Sequence, residues 1–224
     1  VSTKRQQIAM LAKQMPQLSF TSLNQYLDEE WMVEAYKLLN KKRAPGVSGE
    51  TVSDYGENLC TNISLLIDRA KSGHYFAPPV RRVYIPKDDK GTEKRKIGIP
   101  ETEDKLLKRA VVMLLEPIYE QEFLNCSYGF RPEKSAHQAL NSIWKHLMGT
   151  KGDWVIDLDI RKFFDTLDHA ELRKLLKQRV CDGVIMRLIG KWLNAGVMDN
   201  GNISYPDQGS PQGGVISPML SNVY

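Results

Sequence analysis

Cysteine is scarce in this 224-residue sequence, and the three that occur, Cys60, Cys126 and Cys181, lie far apart. Three is an odd number and there is no C-x-x-C pair, so they predict neither a disulfide framework nor a zinc site, and they fit a reducing cytosol. The four histidines are equally scattered. Long apolar runs are lacking as well: none approaches a membrane span, and residues 1–16 have no signal-peptide layout. We therefore expect a cytosolic protein with no membrane segment.

Charge is nearly balanced overall but unevenly distributed. The formal net charge is +4, while residues 1–100 carry a net +5 and residues 101–224 a net −1. The basic residues of the first half form short runs, namely Lys41-Lys42-Arg43, Arg81-Arg82 and Lys94-Arg95-Lys96. Such runs are often only solvated faces, but together they indicate a first half that holds a polyanion and a second half that processes it.

The most informative stretch is WVIDLDIRKFFDTLDH, residues 154–169. Its apolar, β-prone residues predict a buried strand over Trp154–Ile160. Asp157 and Asp159 then share one face, with Cα atoms roughly 6.5–7 Å apart. Two carboxylates so close repel each other, and a divalent cation such as Mg²⁺ relieves that repulsion. The competing interpretation is a strand end with two solvated aspartates.

The remaining pattern predicts alternating helices and hairpins. Residues 1–19 are expected to be a poorly packed lead-in, and 41–52 a loop. Asp168 is a helix N-cap with Glu171 three residues later, and Asn200-Gly201 is a strong hairpin turn. Helices are predicted over 22–42, 57–71, 101–120, 135–147, 168–179 and 184–195 and from about 214, and hairpins over 80–99 (strands 80–85 and 94–99) and 197–205.

Four blocks in order resemble the reverse transcriptases, most closely the group II intron type, the maturases: RRVYIPKDDKGTEKRKIGIP with LLEPIYEQEF, SYGFRPEKSAHQAL, WVIDLDIRKFFDTLDH, and GSPQGGVISPMLSNVY. The resemblance covers residues 24–224. It implies an α+β fold of the polymerase right-hand type, with an antiparallel sheet and flanking helices. The expected parts are an N-terminal extension over 1–54, fingers over 55–150 and a partial palm over 151–224.

The resemblance also implies roles for individual residues. The D-h-x-x-x-F-D pattern fits Asp159 to Asp165, which makes Asp159 the catalytic metal ligand and the Ile160 carbonyl a second oxygen, with Asp157 as a supporting neighbour. Expected nucleotide-binding residues are Lys87 and Arg95 on the triphosphate, Phe164 under the sugar, and Gln212. Expected nucleic-acid-binding residues are Arg131, Gly213, Gly214, Lys42 and Arg43, with a supporting role for a neighbouring loop as the other interpretation of Arg131.

The implied chemistry is two-metal phosphoryl transfer with Mg²⁺, or Mn²⁺ in its place, on an RNA template. The implied partners are intron RNA or another RNA template, a DNA primer and dNTPs, with no membrane; a homodimer is left open. The expected location is the bacterial cytoplasm, with an organelle left open. The family's second acidic motif, Tyr-Ala-Asp-Asp, does not occur before Tyr224. We therefore expect these 224 residues alone to lack synthesis.

Alternatives of other classes stay open. One is a non-catalytic RNA-binding splicing factor on a polymerase fold. Another is a metal-dependent nuclease that uses Asp157, Asp159 and Asp165, which the basic hairpin and the PQGG block disfavour. The absence of a G-x-x-x-x-G-K-[ST] loop separately disfavours the metal strand of an NTPase. Other reverse transcriptase lineages, such as retron, diversity-generating and CRISPR-associated enzymes, also share these motifs.

Overall fold

A computed structural model describes residues 1–86, 93–149, 154–205, 207–209 and 213–224. Helices and one small sheet alternate along the chain. The helices are α1 Ser2–Gln14, α2 Glu29–Lys37, α3 Val52–Glu57, α4 Leu59–Ser72, α5 Thr102–Tyr119, α6 Ala136–Gly149, α7 Phe163–Thr166, α8 His169–Arg179, α9 Gly183–Leu193 and α10 Ser217–Val223, with a short 3₁₀ turn at Leu23–Tyr26. The strands are β1 Val80–Pro86, β2 Lys94–Ile99, β3 Val197–Asp199 and β4 Asn202–Ser204.

The α+β class is confirmed, but the sheet is mixed and not antiparallel as expected. Its strand order is β2-β1-β3-β4. The two hairpins are antiparallel, whereas β1 and β3 run parallel, with Val80 opposite Val197. The hairpins were predicted because their turn signals are local. The parallel pairing joins residues more than 100 positions apart, for which the sequence carries no local signal.

Helix α5 lies at the centre of the core. Its residues are almost all buried, and α1, α2 and α10 pack against it. The buried cluster runs from Ile8 through Leu114 to Leu220, so it contains residues of all three expected parts. The division into an N-terminal extension, fingers and partial palm remains a prediction. Among the described residues no helix is long and apolar enough to cross a membrane.

The N-terminal expectations were wrong in two places. Residues 2–14 are a helix and not a loose lead-in; its core contacts are few, Ile8 and Ala12, which is why the apolar pattern is weak. Ion pairs supplement this packing on α5, from Lys4 to Asp28 at 2.7 Å and from Arg5 to Glu116 at 2.9 Å. The single helix expected over 22–42 is a 3₁₀ turn followed by α2, because Asp28 caps α2 by accepting the Trp31 N–H.

The largest correction concerns residues 154–160, which do not form a strand and are not buried. Trp154 is 93% exposed and Leu158 87%. The apolar, β-prone run predicts a strand only if a neighbouring strand supplies hydrogen bonds and a packing face. Within the described part of the chain, no strand lies beside this segment.

Candidate active site

The loop that carries the GSPQGG motif is held at its start against the turn that follows the aspartate segment. The Gly209 N–H donates to the Leu167 carbonyl at 2.9 Å, and the Gly209 carbonyl contacts His169 Nε2 at 2.6 Å. Gly209 has φ of +87°, and a Cβ there would lie 2.7 Å from the Phe164 carbonyl oxygen. Only glycine allows this backbone conformation and this close approach together.

The end of the same loop lies against the β1–β2 hairpin. Gly213 has φ of +98°, and a Cβ on it would lie 2.6 Å from Ile97 Cγ2 and 3.3 Å from the Gly98 carbonyl oxygen. The loop therefore contacts α7 at one end and β2 at the other. This brings Phe164 and β2, which are far apart in sequence, to one site.

A cavity of about 440 Å³ lies where these elements meet. Of the expected site residues, Arg43, Phe164, Gly213 and Gly214 line it, together with Ile97 of β2. An adjoining cavity of about 320 Å³ shares Arg43, Ile97 and Gly213. Volumes of this order are typical of small-molecule and nucleotide sites.

Two hydrogen bonds and close packing on α5 fix the loop that presents Arg43. Lys105 Nζ donates to the Ala44 carbonyl at 2.8 Å, and Arg81 Nη2 donates to the Pro45 carbonyl at 2.8 Å. Burial lowers the pKa of Lys105, and the neighbouring cation Arg43 lowers it further. A Cβ at Gly46 would lie 2.7 Å from Glu101 Cα, so this loop sits directly on the start of α5. Lys42, by contrast, is exposed and does not line either cavity.

Sequence reasoning missed two charged residues of α5 in this cavity, Arg109 and Glu116. The Nε of Arg109 is buried and has no hydrogen-bond partner among the described residues. Burial raises the pKa of Glu116, although its partner Arg5 opposes that rise. The available signal was the spacing of polar residues 109, 116 and 120 along one face of the helix, and it was weak because residues 103–105 and 108 are charged as well.

The aspartates lie on an exposed segment. Neither Asp157 nor Asp159 forms a hydrogen bond or ion pair with another described residue, and both side chains are exposed. Carboxylate and carbonyl oxygens are the donors that Mg²⁺ prefers, so Asp159 and the Ile160 carbonyl fit such an ion in kind. The number of ligands is too small for a complete site, because the described residues contain no group of three carboxylate, imidazole or thiolate side chains placed to hold a metal.

The aromatic side chain beside the aspartate segment is well placed. Phe164 is half-buried, packs edge-to-face on Phe163 with ring centroids 5.6 Å apart, and lines the cavity. Phe163 in turn packs against Tyr224 of the C-terminal segment at 5.9 Å. The ring is thus supported from behind and faces the cavity.

The expected triphosphate grip is described only in part. Arg95 is exposed on β2, opposite Ile85 of β1. Lys87 and Gln212 lie outside the described residues, so their expected roles remain predictions.

Arg131 occupies a structural position. It is buried, and its guanidinium donates to Glu120 at 3.0 Å and to the carbonyls of Leu124 and Ser127 at 2.6 and 2.8 Å. It also lies over the Phe123 ring, 5.2 Å from the centroid. These contacts favour the interpretation in which Arg131 supports the 124–132 loop, since few of its donors are left for a template.

Comparison with known proteins agrees with this arrangement. Residues 85–224 match the family described as "Reverse transcriptase (RNA-dependent DNA polymerase)". Protein YkfC of Escherichia coli (strain K12) is 39% identical over 230 residues, which cover 100% of this chain and 60% of that protein. The group II intron-encoded protein LtrA of Lactococcus lactis subsp. cremoris is 38% identical over 209 residues, 92% of this chain and 34% of that protein.

The chain thus spans less than two thirds of these relatives. Among solved structures, a chain of a partial Cas6-RT-Cas1–Cas2 complex superposes with a TM-score of 0.57 at 23% identity, covering 92% of this chain and 34% of that one. That likeness concerns the fold alone. By the match over residues 85–224, the chain belongs to the reverse transcriptase family.

Proposed function

We propose that the protein carrying this chain is an RNA-directed DNA polymerase of the group II intron type, which copies RNA into DNA and binds intron RNA to assist splicing and retrohoming. One observation carries the proposal: the glycine-rich loop contacts both Phe164 and β2, so one cavity is lined by the aromatic residue, the loop and the fingers. The relationship to LtrA supports the intron type.

In this proposal each side chain has a physical task. The Phe164 ring lies under the sugar of the incoming dNTP, where its bulk crowds a 2′-hydroxyl. Arg95 and Lys87 neutralise the triphosphate, Gln212 packs beside the nucleotide, and Gly213 and Gly214 leave room for a backbone. Arg43 contributes a further cation at the cavity wall, fixed there by its loop contacts.

Asp159 and the Ile160 carbonyl would hold the divalent cation, Mg²⁺ or Mn²⁺, and Asp157 would support them. When bound, such ions supply activation of the primer 3′-hydroxyl and stabilisation of the leaving pyrophosphate. The exposure of both carboxylates is consistent with this role, since neither is neutralised by another described side chain. The residues themselves position the reacting groups and neutralise the phosphate charge, which is most of a protein's contribution to phosphoryl transfer.

Primer extension by the intact protein that carries these residues tests the proposal, with an RNA template, a DNA primer, dNTPs and Mg²⁺. Asp159→Asn should lower the extension rate about 100-fold or more, because it removes the negative charge of a metal ligand. Removing a single group that stabilises charge at an active site typically has an effect of this size. Asp157→Asn is the matched control, two residues away and equally exposed, and we expect it to retain extension within about tenfold.

RNA affinity measured on the same variants separates the alternatives. Near-normal extension by Asp159→Asn would refute the assignment of Asp159. A folded wild-type protein that binds intron RNA but extends no primer would favour the non-catalytic splicing factor. Cleavage of nucleic acid without dNTPs would favour the nuclease.

A further inference from the structure

A second and larger cavity, of about 550 Å³, lies between α8, α9 and the segment that leads into β1. None of its lining residues lines the cavity at Phe164 and Gly213. We call it the α8/α9 groove and define it by six of its lining residues: Phe76, Arg173, Lys177, Arg187, Lys191 and Tyr205.

The groove concentrates positive charge. Arg173 and Lys177 are four residues apart on α8, and Arg187 and Lys191 are four apart on α9, so each helix turns two cations to one face. No carboxylate occurs among the described lining residues, although the whole sequence has 27 Asp and Glu to 31 Lys and Arg. Like charges at this spacing repel, so the arrangement suits an anionic ligand.

Two of these four cations form hydrogen bonds within the protein. Arg187 Nη2 donates to the Lys71 carbonyl at 3.0 Å, and Lys191 Nζ donates to the Gly73 carbonyl at 2.7 Å, so both satisfy carbonyls at the end of α4. Arg173 and Lys177 have no side-chain hydrogen bond or ion pair with any described residue. As far as the described residues show, the Arg173 guanidinium and the Lys177 ammonium group are therefore available to bind a ligand.

Two glycines make room for groups that line the groove. A Cβ at Gly190 would lie 3.2 Å from Arg173 Nη2, and a Cβ at Gly196 would lie 3.0 Å from Tyr205 Cε1. The guanidinium and the ring thus rest directly on backbone. Tyr205 is nevertheless 66% exposed, and Phe76, the other aromatic residue, is 71% exposed. Each presents ring surface to solvent beside the four cations.

We propose that the α8/α9 groove binds an unpaired nucleic-acid strand, with backbone phosphates on Arg173 and Lys177 and bases stacked on Tyr205 and Phe76. Cations that follow the backbone and aromatic rings that stack on bases are the two components of single-strand binding. A duplex would engage the cations but not the rings, because its bases are already stacked. This binding is separate from polymerisation and does not require Asp159.

Fluorescence anisotropy tests the cations with a labelled 15-nucleotide single-stranded RNA of mixed sequence over a range of salt concentrations. The Arg173→Gln/Lys177→Gln variant should bind about tenfold more weakly, and the slope of log K against log[salt] should become shallower by about 1.4, or about 0.7 for each lost phosphate contact. Neither side chain has a partner in the part of the chain that the structure describes, so the midpoint of thermal unfolding should stay unchanged. Lys13→Gln/Lys174→Gln, which removes two exposed charges outside the groove, is the charge-matched control.

Tyr205→Ala tests the stacking. It should weaken single-strand binding about fivefold or more, while a 15-base-pair RNA duplex should bind with unchanged affinity. Single-stranded RNA and DNA of one sequence, compared side by side, identify which strand the groove prefers. Asp159→Asn should bind like the wild-type protein, so failure of the polymerase proposal and failure of this one give different results.

Two outcomes would overturn the inference. If the Arg173/Lys177 variant matches the Lys13/Lys174 control in both affinity and salt slope, the groove does not contact phosphates. If Tyr205→Ala weakens single-strand and duplex binding equally, or weakens neither of them, then bases do not stack on Tyr205.

Discussion

At the scale of single residues, two glycines decide how the PQGG-containing loop is placed. Gly209 and Gly213 both have positive φ, and in both a Cβ would overlap neighbouring atoms: backbone carbonyl oxygens at Gly209 and the Ile97 side chain at Gly213. The motif itself pointed to Gly213, because close backbone approach is a reason for consecutive glycines. The signal for Arg109 was weaker, because its alignment with Glu116 is obscured by the other charged residues of α5, such as Lys108.

Gly213→Ala tests this placement. The positive φ costs about 1–2 kcal/mol in any residue with a Cβ, and the overlap with Ile97 would in addition lift the loop off β2. Gly201→Ala is the matched control: it also has positive φ, +85°, but nothing lies within 4 Å of its Cβ position. We expect Gly213→Ala to lose at least as much free energy of unfolding as Gly201→Ala, and only Gly213→Ala to lower the primer-extension rate by about tenfold or more. Equal activity of the two variants would mean that the loop contact is not needed.

At the scale of elements, prediction succeeded where the signal is local. Asp168 caps α8 by accepting the N–H groups of Ala170 and Glu171, and these bonds lower its pKa. Asn200 and Gly201 supply the positive φ of the β3–β4 turn. Prediction failed for 154–160, because apolar content identifies a segment that favours burial but not the partner that buries it. It also failed for α1, because only Ile8 and Ala12 of that helix are buried and two apolar positions make a weak periodic signal.

The contrast between α5 and α6 gives a prediction at this scale. Helix α6 has an amphipathic sequence, yet none of its described residues is buried, and Leu140 is 65% exposed, whereas Leu114 of α5 is fully buried. Leu114→Ala should lower the free energy of unfolding by about 2–5 kcal/mol. The same truncation at Leu140 should change it by less than about 0.5 kcal/mol. Urea denaturation of the 224-residue chain measures both, and a large loss at Leu140 would show that α6 is covered in solution.

At the scale of the whole molecule, a buried polar network joins three distant parts of the chain. The Tyr75 hydroxyl donates to Asp104 Oδ1, Lys108 Nζ donates to Asp104 Oδ2 at 2.5 Å, and Trp192 Nε1 donates to the Tyr75 oxygen at 3.1 Å. Lys108 also lies 5.7 Å from the centre of the Trp192 ring. Burial raises the pKa of Tyr75, so its hydroxyl stays a donor. The network ties the segment before β1 to α5 and to α9, one of the two helices of the α8/α9 groove.

Removing one partner of the Asp104–Lys108 pair should therefore lower the free energy of unfolding more than removing both charges. Lys108→Met leaves the fully buried Asp104 carboxylate without its cation, and we expect a loss of about 3–5 kcal/mol in the free energy of unfolding. Adding Asp104→Asn removes that charge and keeps an acceptor for Tyr75, so the double variant should recover more than half of the loss. Lys174→Met breaks an exposed pair with Glu171 and should cost at most about 1 kcal/mol. Urea denaturation distinguishes these values, and a Lys108→Met loss no larger than that of Lys174→Met would mean that water reaches Asp104 and that packing alone joins these elements.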